Sequence, residues 1–316
     1  MKTFFKTLSQ EIFDISYTLF KLMIPVIIAV KILEELGVIE YLGIILEPLM
    51  SLVGLPESMG LVWATTVMTS IYGGMVIFVS QAPTDLSVAQ VTILGGMMLL
   101  AHGLPVEVRI AQKAGMSIWF SLLIRVGGGI LYGWLLFYIY SAGDWLQQPN
   151  QLIWQAEVST DTRLIAWGVT QLKSLAMIQI IIIALLFFLK ILKRIGIEKL
   201  LAIILSPILK ILGISTQATT ITIVGITLGL AYGGGLLIKE AQQGKLAKKD
   251  VFTAIALLAL LHSLIEDTLL ILLLGADLSG VLWFRLLFSL VLISVFSRLV
   301  LKMNDKVFER VLCSKV

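Results

Sequence analysis

The sequence predicts an all-α polytopic membrane protein, with about ten hydrophobic segments forming two inverted five-segment repeats. Three observations carry that prediction. Of 316 residues, 58% are hydrophobic and 14% charged, with mean hydropathy +0.99, whereas soluble domains are roughly 45–50% apolar and about 25% charged. Uncharged stretches at 58–84, 126–143 and 211–238 reach the ~18 residues that suggest a spanning helix. These runs are continuous rather than alternating, which argues against a β-barrel. The third observation is an internal match between the two halves of the chain, set out below.

Taken in order, the opening MKTFFKTLSQEIFDIS does not read as a signal peptide. Phe4, Phe5, Leu8, Ile12 and Phe13 follow a helical period with Lys2, Lys6 and Glu11 between them, the pattern of a short interfacial helix. Hydrophobic segments follow at 15–36, 39–53, 59–80, 87–111 and 117–141, then at 168–190, 197–212, 218–239, 250–274 and 279–301. The second and seventh are short and each holds a proline, Pro48 or Pro207, so tilted, kinked and re-entrant forms are all open. Residues 1–141 make a first repeat with the interfacial helix. Residues 142–164 make an extracytoplasmic linker carrying Trp145 and Trp154, and 165–316 make the second repeat with a cytoplasmic tail.

Charge orients the chain. If all ten segments cross and the N-terminus is cytoplasmic, the inner ends carry Arg109 and Lys113, the Lys190–Lys199 cluster, the lysines at 239–249, and Arg298 to Arg310. The outer connections carry Glu34, Glu35, Asp85, a net-acidic linker and Asp277, with Lys31 and Lys210 dissenting. The balance follows the positive-inside rule. The expected location is the bacterial inner (plasma) membrane, multi-pass, with both termini cytoplasmic. The net charge of +4 is spread between the spans. It therefore implies a lipid-bilayer partner and no nucleic acid. Cys313 is the single cysteine and sits in the tail, so no intrachain disulfide and no thiolate metal site within the membrane is available.

The two histidines, His102 and His262, are 160 positions apart. The same shift places Tyr72, Gly73 and Gly74 on Tyr232, Gly233 and Gly234, Glu107 on Asp267, Gly115 on Gly275, and Arg125 on Arg285. With one residue less, Pro48 meets Pro207 and Gly54 meets Gly213. Five segments per copy is odd, so the second copy enters the membrane in the opposite sense. Such inverted repeats build many secondary transporters, with the solute site near the midplane between them. The loops agree: FVSQAPTDLS has no basic residue, while its partner IKEAQQGKLAKKD has four lysines.

These duplicated YGG and histidine–acid segments resemble the nucleoside-recognition or gate family of membrane proteins. That family includes spore-maturation-type proteins and is related to the gates of ferrous-iron transporters and, distantly, to concentrative nucleoside transporters. The resemblance covers most of the chain in two copies. It implies an inner-membrane transporter of inverted repeats.

Charges within a span cost at least ~2.5–3.5 kcal/mol at its centre, so each calls for a reason. Counting back and forward from the Gly115 turn at 1.5 Å per residue places Glu107 ~12 Å and Arg125 ~15 Å deep. The two can form a buried ion pair locking a hairpin, or offer arginine to an anionic solute. Asp267 and Arg285 repeat the arithmetic around Gly275. Glu266 has no counterpart, since its position in the first half is Val106; it is the candidate proton carrier, with a hydrogen bond to a neighbouring helix as the alternative. His102 and His262 are candidates for proton relay or solute contact, or for hydrogen bonds to carbonyls freed by a helix break. The YGG triplets allow either close packing or an unwound backbone facing a solute. Hydroxyls at Thr65, Thr66, Thr69, Ser70, Thr220, Thr222 and Thr227 can serve a solute or bond back to their own helix. Lys173 reads as snorkelling to the interface. His262 and Glu266 are two ligand types one turn apart without a third, so no metal and no cofactor is expected.

No phosphate-cradling loop and no nucleophile elbow is present in the sequence, and the protein is not expected to be an enzyme. The leading expectation is a secondary transporter of a small polar solute, nucleoside-like or an organic anion, coupled to protons. The alternative is a non-transporting membrane scaffold or an assembly or signalling component. An intramembrane metalloenzyme stands third. A homo-oligomer is compatible with either of the first two.

Overall fold

The computed structural model describes residues 2–81, 85–152, 164–243 and 245–314, and among them every regular element is helical. In the first half these are α1 (Lys2–Glu35), α2 (Val38–Leu52), α3 (Met59–Met68), α4 (Ile71–Ser80), α5 (Val88–Leu100), α6 (Leu104–Lys113), α7 (Ile118–Leu122) and α8 (Gly128–Gly143). In the second they are α9 (Leu164–Ile195), α10 (Ile197–Ile211), α11 (Thr216–Leu228), α12 (Leu230–Gln242), α13 (Lys248–Leu261), α14 (Leu264–Leu272), α15 (Arg285–Lys302) and α16 (Asp305–Val311). One π-helical turn, Leu123–Gly127, leads into α8, and another, Ser279–Phe284, leads into α15. The element order of the first half thus recurs in the second, from a long helix through two broken pairs to a π turn.

Two expectations are corrected. The interfacial helix is not a separate element. Between residues 2 and 35 there is no glycine, and α1 runs unbroken through the first hydrophobic segment until Gly37 takes a left-handed conformation. Nor are the ten segments ten continuous spans. Among the described residues four helices are long and apolar enough to cross a membrane, and the pair α5–α6, bent by 41°, makes a fifth. Segment 59–80 comes apart between α3 and α4, where Ser70 is extended and its hydroxyl accepts from the Gly73 N–H at 3.2 Å. Segment 218–239 comes apart at Gly229, whose φ of 98° and ψ of 164° belong to a region essentially reserved for glycine.

The helices divide into central and peripheral. Of the 18-residue apolar stretch within Lys248–Leu272, 72% is buried by protein, against 17% of the equivalent stretch of α9. A helix so apolar yet so uncovered by protein is suited to face lipid. The α5 and α13 helices are buried along nearly their whole length.

Contacts at the ends of α5–α6 and α13–α14 locate the turns. The beginning of α5 is stitched to the segment after α8: Val88 N–H donates to Gln148 C=O (3.0 Å), and Asn150 N–H to Leu86 C=O (2.7 Å). The side chain of Asn150 also donates to Leu274 C=O (2.9 Å), beside Gly275. At the other end, the Gly115 turn is stitched to the C-terminal tail through Ser117 N–H to Leu312 C=O (2.8 Å) and Ser314 N–H to Gly115 C=O (2.9 Å). The same tail holds the beginning of α13, because Lys249 bonds Met303 C=O and Asp305, both at 2.8 Å. One end of the bundle therefore gathers the start of α5 and Gly275, and the other gathers the start of α13 and Gly115.

Candidate functional site at the helix breaks

Each central span is interrupted at the residue after its histidine. Gly103 separates α5 from α6 with φ of 56°, and Ser263 separates α13 from α14 with φ of 45°. These two positions correspond under the 160-residue shift. A left-handed residue ends the helical hydrogen bonding, so His102 and His262 become terminal residues whose carbonyls are released from the helix. Each break also meets another. Gly103 N–H donates to Thr66 C=O at 3.0 Å, close to the α3–α4 break. A Cβ placed on Gly229 would lie 2.8 Å from Ser263 Oγ, so the α11–α12 break abuts the α13–α14 break.

The histidines meet. His102 Nε2 and His262 Nε2 are 3.0 Å apart, with ring centroids at 4.9 Å. Both are buried, His262 to 2% exposure. Each ring is anchored through its other nitrogen, His102 Nδ1 to Met98 O at 3.0 Å and His262 Nδ1 to Leu258 O at 2.7 Å. A carbonyl only accepts, so both Nδ1 atoms carry hydrogen. That leaves both Nε2 lone pairs of the neutral rings facing each other.

Carboxylates converge on the same point. Glu107 lies in the first turn of α6, and its Oε1 is 3.2 Å from both Nε2 atoms. Asp267, in the first turn of α14, places Oδ2 3.8 Å from His102 Nε2, and that buried oxygen has no hydrogen-bond partner among the described residues. The N-terminal turns of helices favour such anions. Beside Asp267, Glu266 accepts a bond from the Tyr72 hydroxyl at 3.4 Å, so it meets the first half through α4.

The deep arginines do something the sequence did not reveal. Arg125 pairs with Glu107, as the hairpin arithmetic expected. Its Nη2 also donates to His102 C=O at 2.8 Å. Arg285 Nη2 donates to His262 C=O at 3.0 Å, and its Nε to Leu260 C=O at 3.2 Å. Each guanidinium thus caps the broken end of its own half's central helix. The Asp267–Arg285 ion pair is a corrected expectation. Among the described residues no such contact falls within 4.0 Å; Arg285 turns to carbonyls and leaves Nη1 without a partner. Asp267 faces the histidines instead.

The YGG triplets are also corrected. Tyr72, Gly73 and Gly74 lie in the first turn of α4, and Tyr232, Gly233 and Gly234 in the first turn of α12. They are wound, and the breaks lie just before them; the side chain of Tyr232 is outside the described residues. Their glycines serve close packing. A Cβ on Gly233 would lie 2.9 Å from the Gly225 nitrogen, and one on Gly234 2.6 Å from Ile110 Cγ2. The threonines bond back to their own helices, Thr66 to Val62 O (2.8 Å), Thr69 to Thr65 O (2.7 Å) and Thr222 to Ala218 O (2.7 Å). The pairing of His262 with Glu266 as ligand types is not what the structure assembles: His262 is joined instead by His102 and Glu107 from the other half of the chain. Among the described residues His102, Glu107 and His262 form a group able to hold an ion.

Fold and site together define the class, an α-helical membrane protein with a buried polar cluster at breaks in its central helices. In sequence the chain is similar to the uncharacterized membrane protein YvoD of Bacillus subtilis (strain 168). The two are 28% identical over 271 residues, covering 83% of this chain and 84% of that one. No family model and no solved structure matches the chain.

Proposed function

We propose that the protein is a secondary transporter of a small polar solute, coupled to protons and built from two inverted repeats whose shared site is the histidine–carboxylate cluster. The observation that carries this reading is the 3.0 Å approach of His102 and His262, corresponding residues of the two halves. A site assembled equally from two repeats, at helix breaks that free backbone groups, is the arrangement that alternating access uses.

The end contacts support inversion. The start of α5 lies with Gly275, and its counterpart, the start of α13, lies with Gly115, so corresponding positions exchange ends. A cavity lies toward each end of the bundle, and neither is lined by a residue of the cluster itself. One of about 670 Å³ lies among Gly115, Lys248, Phe252 and Arg310, and one of about 470 Å³ among Asp85, Ser87, Gln90 and Tyr140. From Lys113, on the wall of the first, to Glu107 is about 9 Å of helix. The distribution of lysine and arginine favours a cytoplasmic Gly115 end and cytoplasmic termini in a bacterial inner membrane. Glu266, held by Tyr72 across the two halves, is the candidate proton carrier.

Charge also weighs on the solute. Glu107, Glu266 and Asp267 outnumber Arg125 and Arg285, and both guanidiniums are engaged by protein groups. That balance favours a cationic over an anionic cargo.

Uptake into proteoliposomes tests the proposal, using a panel of nucleosides, organic anions and divalent cations with and without an inward proton gradient. Saturable uptake of one class, accelerated by the gradient and abolished by His102→Ala or His262→Ala, is expected. No uptake of any class would favour a non-transporting membrane scaffold. Glu266→Gln is expected to remove the acceleration; gradient-driven uptake unchanged in that variant would exclude Glu266 as the carrier.

A further inference from the structure

We infer that His102, His262 and Glu107, with Asp267 as a fourth donor, form a binding site for one divalent first-row transition-metal ion. The argument begins with a conflict among acceptors. Both Nδ1 hydrogens are spent on backbone carbonyls, so both Nε2 atoms present lone pairs. Glu107 Oε1 presents a third acceptor, 3.2 Å from each. Three acceptors at mutual distances of 3.0–3.2 Å, in a buried place, need a cation between them. One proton on one Nε2 serves one neighbour well and leaves the others facing lone pairs. A metal ion serves all of them at once.

The geometry suits such an ion. Metal–nitrogen and metal–oxygen bonds of about 2.0–2.2 Å in tetrahedral arrangement hold donors about 3.3–3.4 Å apart. The triangle needs to open by only a few tenths of an ångström. Asp267 Oδ2, buried and without a hydrogen-bond partner among the described residues, stands 3.8 Å from His102 Nε2. Two imidazoles with carboxylates suit zinc, iron and their neighbours more than calcium or magnesium, which prefer all-oxygen cages. Supporting bonds are present too. Each histidine donates its other N–H to a carbonyl, the usual way of fixing a ligating ring, and Glu107 is held by Arg125. Taken with the transporter proposal, on which this step rests, the ion is the cargo.

The test uses the full chain, purified in detergent, stripped with chelator and titrated with Zn²⁺ or Co²⁺ alone. Expected are one ion per chain by elemental analysis, visible Co²⁺ absorption bands of four- or five-coordinate type, and a Zn²⁺-dependent rise in melting temperature. His102→Ala, His262→Ala and Glu107→Gln should each weaken binding more than tenfold, judged only in samples that remain monodisperse. Cys313→Ser, which removes the single thiol, and Glu57→Gln, on the exposed turn before α3, should bind within twofold of the parent. His102→Asn, which keeps a polar side chain at the break, gives a second reading of the site should the alanine variant aggregate, and it too should lose the Co²⁺ bands. No stoichiometric binding, or binding that survives loss of both histidines or disappears with Cys313→Ser, would overturn the site. Metal bound without uptake of any solute keeps the site and removes the transporter. Uptake of a nucleoside or organic anion by a chain that binds no metal does the reverse.

Discussion

At the scale of single residues, the two arginines are fully buried and differ in what they satisfy. Arg125 neutralises Glu107 and caps His102; Arg285 caps two carbonyls and has no acid within 4.0 Å among the described residues. Removing one member of a buried pair leaves a charge stranded, which typically costs about 3–5 kcal/mol. Arg125→Met should therefore lower the melting temperature markedly more than Arg285→Met, whose incompletely bonded charge is itself a cost. Differential scanning fluorimetry in detergent checks this; equal losses would show that carbonyl capping, rather than pairing, dominates. The pairing of Arg125 with Glu107 was legible because both lie within one hairpin, where helical rise fixes depth. The same arithmetic failed for Asp267 and Arg285. It fixed depth but not direction: the Arg285 guanidinium turns to the Leu260 and His262 carbonyls, while Asp267 faces the histidines. The histidine contact was beyond it altogether. Periodicity reports the face of a helix, and here the partner lies 160 residues away on another one.

At the scale of elements, the breaks decide the site. Gly103 and Ser263 occupy corresponding left-handed positions, and only glycine does so without steric cost. A non-glycine residue there costs about 1–2 kcal/mol. Ser263→Gly should therefore stabilise the protein by about 1 kcal/mol and raise its melting temperature; a fall would indicate that the hydroxyl bonds across the adjoining break. Gly229→Ala should do the opposite, losing about 1–3 kcal/mol for a backbone region reserved for glycine, with a further clash at Ser263 Oγ. The break after His102 is partly legible in the sequence, since Gly103 is followed two positions on by Pro105, which suits the first turn of a new helix. The break at Ser263 is not, because serine gives no conformational warning. The YGG glycines misdirected attention by one step: glycine signals either an unwound backbone or a close approach, and composition alone does not separate the two.

At the scale of the whole molecule, the match between the two halves was the most legible feature, because rare residues recur at a constant shift. Membrane residence was equally plain from composition. The number of continuous spans was not, since hydropathy is blind to a break that leaves the residues apolar. The transport reading depends on the halves being inverted, so that corresponding helix breaks approach the shared site from opposite ends. Asp85 and Lys245 correspond under the shift, and each lies just before a central helix, α5 or α13. Topology reporters fused at 85 and at 245 test the inversion most directly. The account predicts opposite sides, with 245 in the cytoplasm and 85 outside; both reporters on the same side would contradict it.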